Sequence, residues 1–98
     1  MANAKKIGVI AGTPIDTQMG VDFLKRQGFE GIGHATAVNP EEQNRLQFFE
    51  PEHLAEKVLE AIRDFENQNI FHTMIYCNSL SSAIDMEYIR RAQPRSVV

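Results

Sequence analysis

The chain predicts an α/β fold: a three-layer Rossmann/flavodoxin-like domain with a parallel four-stranded sheet in the order β-α-β-α-β-α-β. Three observations predict it. Two apolar runs, residues 7–11 and 70–77, have the composition of buried strands. A long stretch between them carries apolar residues at helical spacing. The alternation of strand and helix calls for parallel pairing with right-handed crossovers.

In chain order, residues 7–11 are apolar throughout and read as a strand covered on both faces. Gly12-Thr13-Pro14 is a turn, and Asp16 or Thr17 can cap a helix running to about Gln27. Gly28 then supplies a residue free to turn left-handed. Residues 31–38 read as a second, less apolar strand nearer an edge. Residues 39–49 form a polar-to-aromatic connection without periodicity, of a length typical of lids and binding loops.

The clearest helix follows. Pro51 suits a first helical position, Glu50 and Glu52 favour its positive end, and Leu54, Val58, Ala61, Ile62 and Phe65 make one apolar stripe. Glu56, Lys57, Glu60, Arg63 and Asp64 then face water. After the strand that ends near Cys77, a helix from about Ser81 to Ala92 turns Ile84, Tyr88, Ile89 and Ala92 inward. Pro94 stops it, and Ser96-Val97-Val98 starts a fourth strand. That apolar ending marks the expectation that residues 1–98, a single α/β domain, are the N-terminal half of something longer.

Composition narrows the partners. Ninety-eight residues give one small core, with 43% hydrophobic and 23% charged residues. A net charge of −3, with no basic cluster beyond Lys5-Lys6 or Arg90-Arg91, argues against nucleic acid and against an anionic membrane surface. No run approaches the roughly 20 apolar residues of a membrane span. The lone cysteine cannot form an internal disulfide, which fits a cytoplasmic protein.

Motifs for cofactors are weak. Gly12 stands without a glycine triplet or a following lysine, and Gly28, Gly31 and Gly33 do not fit the dinucleotide fingerprint. His34, His53 and His72 lack the paired spacing of a metal site with Cys77. The expectation is no cofactor and no metal. Cys77 itself ends an apolar strand, and the polar cluster Asn78, Ser79, Ser81 and Ser82 opens the next helix. In an open α/β sheet this carboxyl edge is where ligands bind, and a thiol facing a helix N-terminus has its thiolate favoured. Thr13, after the first strand, opens onto the same edge. A cysteine is also one of the most often buried residues, and the alternative is a small core side chain in a non-catalytic ligand-binding or interaction domain.

Cys77-Asn78-Ser79, after an apolar strand and before small residues, resembles the aspartate/glutamate racemase superfamily, whose strand ends in Cys-Asn-Thr. The opening Ile7-Gly8-Val9-Ile10-Ala11-Gly12-Thr13-Pro14 is similar to that of its aspartate-racemase branch. The resemblance covers the chain in element order, but only about a dozen residues carry it. It implies a two-domain, pseudo-symmetric isomerase of about twice this length, working without a cofactor at the carbon beside a carboxylate. Cys77 would be one of two acid/base cysteines, with Thr13, Asn78 and Ser79 binding the amino-acid substrate. Ala11-Gly12 stands where glutamate racemases have Asp-Ser, Ser79 replaces threonine, and there is no second cysteine. A second half, a homodimer with facing Cys77 residues, or one-cysteine chemistry such as decarboxylation or isomerisation would meet that last departure.

Overall fold

The computed structural model describes residues 5–76 and 85–98. Lys6–Ala11 (β1) is the middle strand of a three-stranded parallel sheet, between Glu30–Ala35 (β2) and Thr73–Ile75 (β3). The register runs from Lys6↔Glu30 to Ala11↔Ala35 on one side and from Gly8↔Thr73 to Ile10↔Ile75 on the other. A central strand has no wet side, and Val9, Ile10 and Ala11 are fully buried. The α/β class stands, with three strands among the described residues rather than four. The expected fourth strand reduces to one parallel bridge, Val97 to His72, held by Thr73 N–H to the Val97 carbonyl (2.8 Å) and Val97 N–H to that of Phe71 (2.7 Å). Ser96 is buried but Val97 is largely exposed, so this segment touches the sheet at a single point.

Pro14–Arg26 (α1) covers one face of the sheet. Its cap is Thr13, not Asp16 or Thr17. Pro14 has the fixed φ of a first helical residue and needs no N–H partner, so the helix starts earlier and the cap moves back with it. The chain leaves the helix through Gly28 at φ 87°, a left-handed conformation that costs glycine nothing. Small residues bring α1 close: a Cβ on Gly20 would lie 2.7 Å from Val9 Cγ1, and one on Gly33 would lie 2.6 Å from Thr17 Cγ2.

Strand β2 ends at Ala35 instead of Val38. The N–H groups of Thr36 and Ala37 both point back to the first strand's side, onto the carbonyls of Ala11 (3.0 Å) and Gly12 (2.8 Å), which breaks the alternation a strand requires. Residues 39–49 are no loop. Pro40–Phe49 is a helix (α2), capped by the Asn39 side chain on the N–H of Glu42 (2.9 Å), with proline first and Glu41 and Glu42 in its positive turn. Only Leu46 is buried along it, so it shows little apolar period.

Pro51–Asn67 (α3) lies on the opposite face of the sheet from α1 and follows the expected stripe. Leu54, Val58, Ala61, Ile62 and Phe65 are all buried, with Leu59 beside them. They join Ile10, Leu46, Ile70 and Ile89 in the main core, where each large aliphatic side chain contributes about 1.5–3 kcal/mol of burial. Met86–Ala92 (α4) packs on α3. Two turns present one narrow line to that neighbour, so Met86 and Ile89 face the core while Tyr88 and Ala92, expected inside, are exposed. The expected inward residue Ile84 and the helix start at Ser81 lie outside the described residues. Among the described residues, no helix is long and apolar enough to cross a membrane.

Candidate functional site at the carboxyl edge of the sheet

Strand order β2-β1-β3 creates a switch point. The chain leaves β1 toward α1 on one face, and after β3 it goes on to α4, which packs with α3 on the other. Connections that diverge in this way open a crevice between the carboxyl ends of β1 and β3, where doubly wound sheets bind ligands. Gly12 and Thr13 form one lip. The other begins at Tyr76, whose N–H donates to the Ile10 carbonyl at 2.9 Å. Cys77, Asn78 and Ser79 follow Tyr76 in the chain and lie outside the described residues.

Thr13 is the one expected site residue within them. It lies at the carboxyl end of β1 and is buried. Its hydroxyl donates to Asp16 Oδ2 at 3.0 Å and accepts from the Asp16 N–H at 3.3 Å, while its carbonyl accepts from the Thr17 hydroxyl at 2.8 Å. The side chain is thus already engaged in fixing the turn from β1 into α1. Thr13→Ala is expected to cost about 1 kcal/mol of stability, the usual loss on removing an N-cap, and Thr13→Ser to restore most of it. Urea titration followed by far-UV circular dichroism checks both; equal stability of all three proteins would refute the capping role.

Two further side chains reach this edge. The amide end of Gln43, on α2, lies against Gly12, where a Cβ would come within 2.2 Å of Nε2. Lys57 is not on the water side of α3. Its Nζ donates to the Thr36 carbonyl at 3.1 Å and sits 3.5 Å from Glu42 Oε1, with about a third of the side chain exposed. Lys57 adjoins Val58 on the margin of the buried stripe, and its long stem carries the charge over the end of β2. Its place in the middle of a long helix predicts an outward charge like those of Glu56 and Glu60. A marginal position beside the stripe was the available signal. Together Gly12, Thr13, Gln43 and the Thr36–Lys57–Glu42 set give this edge backbone, amide and ammonium donors, with Asp16 and Glu42 as acidic neighbours.

The fold and this edge define a small α/β domain with helices on both faces of a parallel sheet. No protein-family model matches the chain, and no curated protein and no solved structure is significantly similar to it.

Proposed function

We propose that the domain is the N-terminal half of a cofactor-independent, racemase-like isomerase acting on aspartate, glutamate or a related acid. Cys77 is one of its two acid/base groups. The observation that carries this reading is the adjacency of β1 and β3: the Gly12-Thr13 turn and the chain that continues from Tyr76 into Cys77 leave neighbouring parallel strands at the same edge. In the proposed reaction the Cys77 thiolate takes the α-proton and becomes a thiol. A second acid, from another domain or another copy, delivers a proton to the opposite face of the carbanion. Asn78 and Ser79 hold the substrate carboxylate or the developing enolate-like oxygens, and Thr13 exchanges its bond to Asp16 for one to a substrate oxygen.

The test is deuterium exchange. Protein as its source produces it, incubated in D₂O with each enantiomer of aspartate and glutamate, is expected to place deuterium at the α-carbon, read by mass spectrometry. Cys77→Ala is expected to abolish exchange from at least one enantiomer, and undiminished exchange would sink the assignment.

A second reading, a non-catalytic interaction domain, draws on one feature: Ile15, Met19 and Phe23 form an exposed apolar line along α1. Alkylation separates the two. A thiol that reacts quickly at neutral pH and is protected by a small dicarboxylate supports the enzyme, whereas one that reacts only on unfolding supports the interaction domain.

A further inference from the structure

Strand β2 is the edge of the sheet, and its outward backbone is unpaired among the described residues. The N–H of Glu30 donates to the Lys5 carbonyl and that of Thr36 to Ala11, so even-numbered residues of this strand turn their backbone groups toward β1. Odd-numbered residues therefore turn theirs away. The outward donors and acceptors belong to Gly31, Gly33 and Ala35. Edges of this kind are usually guarded by lysine, proline or a bulge. Strand β2, Glu-Gly-Ile-Gly-His-Ala, has no lysine or proline and pairs in unbroken register along its whole length. Beside it an open groove of about 390 Å³ runs between the strand and α1, lined in part by Thr17, Val21, Gly31 and Gly33.

We propose that this edge pairs with the same edge of a second copy, antiparallel about a two-fold axis at Ile32, joining two sheets into one of six strands. Three features select this occupant and this register. Hydrogen-bonded pairs in an antiparallel ladder must join outward-facing residues, and centring on Ile32 opposes Gly31 to Gly33 of the second copy, twice over. The same centring opposes Glu30 to His34 of the other copy and Ile32 to itself, all on the face that α3 covers, so a carboxylate meets an imidazole at both ends of an apolar centre. On the α1 face the pairs formed within β2 are glycine on glycine, which leaves the approach beside the groove open along the centre of the strand. A strand of different sequence would meet the same backbone groups without the reciprocal Glu30–His34 match.

This dimer is independent of the racemase reading and constrains it. Its strand order is β3-β1-β2-β2-β1-β3, which sets the two β3 strands roughly 24 Å apart at ~4.8 Å per spacing. The two sheets also point their carboxyl edges in opposite directions. Such a dimer does not bring the chains that follow β3 together, so a second acid/base group comes from elsewhere.

The test joins a mutation-free measurement to a cross-link. Sedimentation of the wild-type chain is expected to give twice 11.1 kDa at high concentration. Amide exchange at Gly31 and Gly33 is expected to slow there and to speed up on dilution. In a Cys77→Ala background, Ile32→Cys is expected to form a disulfide dimer under mild oxidation, because directly opposed non-hydrogen-bonded pairs lie about 4.5 Å apart at Cα. Asn44→Cys, exposed on α2, serves as the control and is expected to remain mostly monomeric. A monomer at all concentrations overturns the proposal. So does a dimer in which Gly31 and Gly33 exchange freely, or in which a folded Ile32→Cys cross-links no faster than the control.

Discussion

Phe65→Ala is expected to remove about 3–5 kcal/mol, the largest loss of any single truncation in this domain. The ring is 2% exposed at the far end of the α3 stripe, packs over Gly8 of the central strand and meets His34 edge-on at a centroid distance of 6.5 Å. Removing it empties the junction of α3 with β1 and β2, which backbone cannot collapse to fill. A domain of this size has about 5–15 kcal/mol in total, so the variant is expected to be partly unfolded near 40 °C. Urea denaturation monitored by far-UV circular dichroism measures it. A loss below about 1 kcal/mol would mean that the α3–β1 junction is not where the core is held.

The second large effect is the converse change on the opposite partner. Gly8→Ala places a methyl group 2.4 Å from Phe65 Cδ2 and Cε2, inside any tolerated contact, and ring and strand are both fixed by their neighbours. Overpacking of this kind costs about 1–3 kcal/mol. The two changes are expected to couple: in Gly8→Ala/Phe65→Ala the added methyl enters the space the ring has left. The double variant should therefore be less destabilised than the two single losses combined. Strict additivity in a double-mutant cycle would show that the two residues do not share one packing site.

How much of this could be read from the chain follows from the strength of each local signal. The α3 stripe and the apolar strand β1 were legible because burial on a helix face and burial on both sheet faces leave periods of 3.6 residues or none. Helix α2 was not, because one buried residue in ten leaves no period. Its signal is Asn39-Pro40-Glu41-Glu42, a cap followed by proline and two acids, and the same logic applied to Thr13-Pro14 gives the α1 cap that the choice of Asp16 or Thr17 missed. Lys57 was misplaced because helix geometry fixes where a Cα lies and not how far a four-carbon stem reaches. The inward placement of Tyr88 and Ala92 assumed a long helix with a wide face, and what packs on α3 is two turns. Of the candidate site, Thr13 was placed at the correct end of β1, while its engagement with Asp16 depends on where α1 begins.

The central position of the first strand has a kinetic consequence. On emerging from a ribosome, β1 finds β2 after a short crossover, but its other neighbour is made only when most of the chain exists, since Gly8 pairs with Thr73. Closing that long loop costs entropy before any contact repays it. Until then the flank of β1 that will receive β3 stays open, and the apolar stripe of α3, which already meets β1 and β2 through Phe65, lacks the part of its cover that Ile75 and Ile89 supply. During that interval the nascent chain displays its most adhesive surfaces, and chaperone dependence should track the time needed to synthesise the stretch from β2 to Thr73.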